Sequence, residues 1–286
     1  MPAYAGFFFM NYTVIIVPTT TEQEQEWLIA SLLDRPVTAF QQEPDHLLIF
    51  PEPGDASEQS VQQWLQENKI VFHCEQIEAV NWNANWEQQL EPVLIRTESP
   101  VYQQISIRAS FQPAHPMADL EVVITPRMSF GTGHHATTQL MVEQLAALSI
   151  QGKRVLDIGT GTGVLAILAK KMGATVVCAT ESEDWGYENA RANFLENNCP
   201  DIELVQTEGL PVSFSSFDII IANINKNTIL QLLPLIKEKA NMDAILLLSG
   251  WLTSDNSDMI DGLVMHGVAP VSTVVKGDWS AMRCRL

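Results

Sequence analysis

The chain has 286 residues, 46% hydrophobic and 17% charged, with a formal charge of −18. That length can bury a substantial core in one large or two smaller domains. The carboxylate excess argues against a nucleic-acid backbone as main partner, since neutralising phosphates takes Lys and Arg; it would instead attract a basic one.

No apolar run reaches about 18 residues, so no membrane span is expected. Cys74, Cys178, Cys199 and Cys284 are scattered without a C-x-x-C pair. They imply neither a disulfide framework nor a zinc site and fit a reducing cytoplasm. Residues 1–11 read as a leader outside the fold: Met1–Phe9 is apolar but lacks the basic start of a signal peptide.

Residues 12–17 (YTVIIV) predict a strand. Glu22 to Leu33 predicts an amphipathic helix with Trp27, Leu28 and Leu32 inward, and His46–Phe50 a second strand. After the Pro51–Asp55 break, Ser60–Glu67 predicts a second helix and Ile70–Val80 a strand. Strand–helix–strand–helix–strand over 12–78 suggests a small α+β domain of ferredoxin-like type, a binding rather than a catalytic unit. Trp82, Trp86 and Leu90 then recur at i, i+4, i+8, predicting a connecting helix over Asn81–Glu91 stopped by Pro92. Strands are expected over Val101–Ser110 and Leu120–Thr125.

Chemistry begins at Phe130-Gly131-Thr132-Gly133, a glycine-rich turn followed by His134-His135 and a helix over Thr137–Ala147. The hydroxyls of Thr137 and Thr138 near a helix N-terminus can cap it or meet a ligand carboxylate. Adjacent histidines point to different faces and have no nearby acidic or Cys partner, so no metal site is expected.

Arg154–Glu181 is a strand–glycine turn–helix–strand unit: Val155, Leu156 and Ile158, then Gly159, Gly161 and Gly163, a helix from Val164 to Met172, and a strand ending at Glu181. Such glycines let the backbone approach a ligand beside the free N–H groups of a helix end, and the acid can accept hydrogen bonds from ribose hydroxyls. This predicts a nucleoside site. The spacing is G-x-G-x-G, whereas a dinucleotide site reads G-x-G-x-x-G. With Asp157 two residues before the first glycine, D-x-G-x-G-x-G resembles the cofactor motif of S-adenosylmethionine-dependent methyltransferases.

Helix (Asp184–Asn197), strand (Ile202–Val205), loop and buried strand (Phe217–Ile221) follow, ending in Ala222-Asn223-Ile224-Asn225. Ligands of open parallel sheets sit beyond strand C-termini near the switch in strand order. Asn223 falls at such an end, where its carbonyl can accept from an amine; alternatively it caps the following Thr228–Lys239 helix. No N-P-P-Y pattern is present, which favours an aliphatic amine over a planar amide or base. Strand Ile245–Leu248, a helix from about Ser254 to Met265, and a terminal strand pair (Ala269–Lys276, Trp279–Leu286) complete the chain.

F-G-T-G-H-H-A-T-T, V-L-D-I-G-T-G-T-G and A-N-I-N, in that order, resemble the methyltransferases of large-subunit ribosomal protein eleven, the PrmA family, over nearly the whole chain. The resemblance implies an α/β fold: a Rossmann-like, seven-stranded class I methyltransferase domain (96–286) behind the ferredoxin-like substrate domain (12–78) and a hinge helix (79–95). It implies S-adenosylmethionine as cofactor, held by Phe130, Thr132, Thr138, Asp157, Gly159, Gly161, Gly163, Glu181 and Asn223, with Asn223 also catalytic. It implies a basic large-subunit ribosomal protein as substrate, methylated on lysine or N-terminal amines by a cytoplasmic monomer without nucleic-acid contact. The family more often has Asp where this chain has Glu181. The same chemistry on another protein, a NAD-dependent oxidoreductase, and a binding module without transfer are the competing readings.

Overall fold

The structure, a computed structural model, describes residues 12–19, 21–32, 35–52, 54–77, 91–125, 130–214 and 216–286. The chain divides into two units, Met1–Ala84 and Asn85–Leu286.

In the first unit the described elements are β1 (Tyr12–Pro18), α1 (Glu22–Leu32), β2 (Val37–Gln42), β3 (His46–Pro51), α2 (Asp55–Glu67) and β4 (His73–Ile77). The sheet order is β2-β3-β1-β4, with every pairing antiparallel. This βαββαβ unit is the ferredoxin-like arrangement expected, with β2 as a strand that the sequence reading missed. Val37–Gln42 has no fully buried position, so it carries little of the apolar alternation that marks a strand. Alternating Ile15 and Val17 on β1 and Leu47 and Ile49 on β3 meet Leu28 and Leu32 of α1 and Val61 and Leu65 of α2. Trp27 does not join them. It is exposed, its ring 6.2 Å from that of Trp64, because Leu28 and Leu32, one turn apart, define the buried stripe.

Most of the helix expected over 79–95 lies outside the described residues, but its end is corrected. Val93–Arg96 is a strand, β5, pairing antiparallel with β6 (Gln104–Arg108), which runs parallel to β7 (Leu120–Val123). Pro92 ends any helix, and Val93-Leu94-Ile95 favours extended backbone.

The second unit continues with α3 (Ala136–Ala146), β8 (Arg154–Ile158), α4 (Val164–Lys171), β9 (Val176–Glu181), α5 (Asp184–Glu196), β10 (Glu203–Gln206), β11 (Phe217–Asn223), α6 (Lys226–Lys239), β12 (Ala240–Leu252), α7 (Asn256–Met265), β13 (Ala269–Lys276) and β14 (Trp279–Arg285). Seven of these strands form one sheet, ordered β10-β9-β8-β11-β12-β14-β13; the first five run parallel and β14 is inserted antiparallel. This is the Rossmann-like sheet expected. Its two faces bury separate cores, Val155 lying in one and its neighbour Leu156 in the other. Strand order reverses at β8, between β9 and β11. Ala222 pairs with Ile158 there, so Asn223 comes level with Gly159. No helix among the described residues is long and apolar enough to cross a membrane.

Candidate active site

The glycine turn leaves β8 through Gly159, Gly161 and Gly163, all at positive φ (65°, 57° and 84°). A Cβ on Gly161 would run into the carbonyl oxygen of Phe130, which accepts from Thr162 N–H at 3.0 Å. A Cβ on Gly159 would strike the Ile224 side chain. Phe130 and the A-N-I-N strand end therefore press on the turn from two sides, and three motifs distant in sequence meet there.

Gly163 is the N-cap of α4 and has no side chain to offer. Asp157 supplies the acceptor instead: its carboxyl takes the Thr160 hydroxyl at 2.6 Å and a backbone hydrogen bond from Ala166 in the helix's first turn. Complete burial pushes this carboxyl up to about 7, opposed by those two hydrogen bonds and reinforced by the nearby Glu181 carboxylate. Asp157 is thus a brace beneath the turn.

Glu181 ends β9 with 9% of its surface exposed. Its Oε2 accepts from Gly161 N–H at 2.8 Å, and its Oε1 from the N–H groups of Ser182 and Glu183 at 2.9 and 3.2 Å. An anion is clasped against the turn, with a lone pair of Oε2 still available.

Beside the turn lies a cavity of about 220 Å³ walled by Phe130, His135, Thr137, Asn223, Gly250 and Trp279, among others. Asn223 Oδ1 is buried and has no hydrogen-bond partner, and neither has the buried Thr138 hydroxyl in the first turn of α3. Orphaned buried polar atoms in a native fold call for a reason. The capping alternative for Asn223 is removed, because Asn225 caps α6 by accepting from Thr228 N–H at 2.9 Å.

His135 is the N-cap of α3. Its Nδ1 accepts from Thr137 N–H at 3.3 Å and lies 2.8 Å from the Thr137 hydroxyl. A backbone N–H can only donate, so Nδ1 keeps its lone pair and the neutral ring carries its proton on Nε2. Burial holds its pKa below the usual histidine value. The ring stands edge-on to Phe130 and Trp279, at centroid distances of 5.0 and 4.6 Å.

Not every expected residue gathers here. Thr132 lines a separate cavity of about 10 Å³, its hydroxyl 3.2 Å from His134 Nδ1, and His134 Nε2 lies 2.9 Å from the Glu91 carbonyl. The two adjacent histidines do part, as their sequence positions require. Among the described residues no group of three His, Cys, Asp or Glu is placed to hold a metal.

Sequence reasoning missed Trp279, which reaches the pocket only through the pairing of Leu252 with Trp279 across β12 and β14. It also missed Asn193 on α5 and Asn197, the residue that caps its C-terminus. Asn197 bonds both the N–H and the carbonyl of Val123, and Asn193 bonds Thr125 N–H and the Thr162 carbonyl. Their i, i+4 spacing was the available signal.

The profile of the family described as Ribosomal protein L11 methyltransferase (PrmA) matches residues 18–286. The Ribosomal protein L11 methyltransferase of Chlorobaculum parvum is 36% identical over 267 residues, 89% of this chain and 90% of that protein. Its counterpart from Porphyromonas gingivalis is 38% identical over 206 residues, 71% and 69% of the two chains. Among solved structures, a ribosomal protein L11 methylase from Lactobacillus delbrueckii subsp. bulgaricus aligns with a TM-score of 0.59 at 27% identity, covering 64% of this chain and 94% of that one.

Proposed function

The chain belongs to the ribosomal protein L11 methyltransferase family, and on that premise we propose that it transfers methyl groups from S-adenosylmethionine to amines of the large-subunit ribosomal protein L11. The observation that carries the site assignment is the orphaned buried Asn223 Oδ1 on the cavity wall, beside a turn that has no room for side chains; the Thr138 hydroxyl, also orphaned, follows Thr137 of that wall in sequence. Glycine backbone, an acceptor anion and unpaired polar atoms suit a sugar-bearing ligand with an amino-acid tail.

In this reading the side-chain-free backbone of Gly159, Gly161 and Gly163 seats the nucleoside over Asp157, with the Gly161 N–H given to Glu181. Glu181 accepts from the ribose through Oε2, Thr138 bonds the tail, and Phe130 closes one side. Thr132 serves only by shaping the turn before α3. Bound there, the sulfonium supplies an activated methyl and a neutral thioether leaving group. The chain contributes orientation, which is worth up to roughly 7–11 kcal/mol of barrier. Asn223 Oδ1 accepts an N–H of the incoming amine and so aims its lone pair. The amine must arrive neutral, from a lysine reference pKa of about 10.4. His135 carries its proton on Nε2 and has its Nδ1 lone pair taken by Thr137, so it offers the amine no base and the amine's proton leaves to water.

Substrate capture falls to residues 12–78, with 79–92 as connection and the catalytic part from Val93 onward. The first unit holds twelve Asp and Glu against only Arg35 and Lys69, a field that draws a basic protein. A ribosomal protein substrate implies work in the cytoplasm.

Incubation with labelled S-adenosylmethionine and purified L11, mapped by mass spectrometry, is expected to mark lysine or N-terminal amines. Label appearing only on other proteins of a ribosomal extract would overturn the substrate. A thermal shift with NAD and none with S-adenosylhomocysteine would overturn the site.

A further inference from the structure

Helix α5 begins at Asp184, three residues beyond Glu181, and carries Gly186 in its first turn. A Cβ at position 186 would lie 2.9 Å from both Cγ and Cδ of Glu181 and 3.2 Å from its Oε1. A long side chain can ordinarily swing away from such a contact. Here three backbone N–H groups hold its carboxylate, so making room at 186 means breaking the clasp. Gly186 is not among the residues with positive φ. Its conformation therefore does not ask for glycine, which costs a helix interior about 1 kcal/mol relative to alanine.

We propose that Gly186 is a positioning residue for ligand binding. It supplies the space that the extra methylene of Glu181 needs, and so fixes the carboxylate where a ribose hydroxyl can meet it. An aspartate at 181 would withdraw from that space and make glycine dispensable. The inference rests on the S-adenosylmethionine reading of the site and adds to it a specific coupling between positions 181 and 186.

The test compares wild type, Gly186→Ala, Glu181→Asp and the double variant, all as full chains. Affinity for S-adenosylhomocysteine is read by calorimetry and unliganded Tm by thermal unfolding. Gly186→Ala is expected to weaken binding roughly ten- to a hundredfold, the effect of misplacing one charged acceptor. The double variant should bind within about threefold of Glu181→Asp alone and unfold at a higher temperature than that variant, because the helix gain is no longer cancelled by a clash. Wild-type affinity in Gly186→Ala, or a Gly186→Ala change that weakens binding as much in the Glu181→Asp background as in wild type, overturns the coupling. A wild-type chain that does not bind the ligand overturns the site reading, and this inference with it, before any variant is compared.

Discussion

The Asn193 side-chain amide donates to the Thr162 carbonyl at 2.8 Å while its Oδ1 accepts from Thr125 N–H at 3.0 Å. One buried side chain on α5 thus ties the glycine turn to the end of β7, the strand that leads toward Phe130. Asn193→Ala leaves a carbonyl and an N–H unsatisfied at once, a loss of about 2–4 kcal/mol. Urea unfolding is expected to show that loss, with S-adenosylhomocysteine affinity falling as well. Unchanged affinity would mean that the turn holds its shape without the tie.

Thr138 and Asn223 carry unsatisfied polar atoms, which hold back stability for the sake of a ligand. Thr138→Val keeps the shape and removes the orphan. The unliganded Tm should rise, by roughly 1 kcal/mol of stability, while S-adenosylhomocysteine binds about tenfold more weakly. Asn223→Ala should leave Tm within a few degrees yet reduce kcat on the order of a hundredfold through lost orientation. A Tm loss in Thr138→Val would show that the hydroxyl is already satisfied.

Asp157 holds its proton to about pH 7 in the folded chain, against about 4 when unfolded. Between those values the native state binds more protons than the unfolded state, so this group's contribution to stability is complete below pH 4 and is lost as pH rises through 7. Asp157→Asn can keep both hydrogen bonds without titrating. The stability difference between wild type and variant should shift against wild type across that window and stay level above it. A difference that does not change with pH would mean the carboxylate is ionised throughout.

Salt separates the roles of the two units. If the acidic first unit captures a basic substrate, KM for L11 should climb steeply from low to physiological ionic strength as the field is screened. Affinity for S-adenosylhomocysteine, governed by short contacts in the second unit, should change little. A KM insensitive to salt would remove the electrostatic account of capture.

The parts of this fold that were legible in the sequence are those with local periodicity or a motif at fixed spacing. The strand–turn–helix around Gly161 and the strand ending at Asn223 were both readable, because buried parallel strands are continuous apolar runs. Strand Val37–Gln42 was not, since its side chains are half-buried or exposed. The placement of Thr132 was not legible either: sharing a turn with Phe130 says nothing about which side of the backbone each residue faces. Of the three amides that clasp Glu181, those of Ser182 and Glu183 are local, but that of Gly161 depends on how two loops meet, which no single stretch encodes. His135 looked like one of a histidine pair; its capping bond to Thr137, which fixes the tautomer, emerges only once α3 has a defined start.

Trp279 enters the pocket from β14, whose insertion between β12 and β13 also buries Met282 and Cys284. Without that strand β12 presents a bare edge and the cleft stands open on one side. A copy lacking β14 would be a sticky fragment rather than a sluggish enzyme, so deletion of Trp279–Arg285 should register as aggregation before it registers as slow turnover.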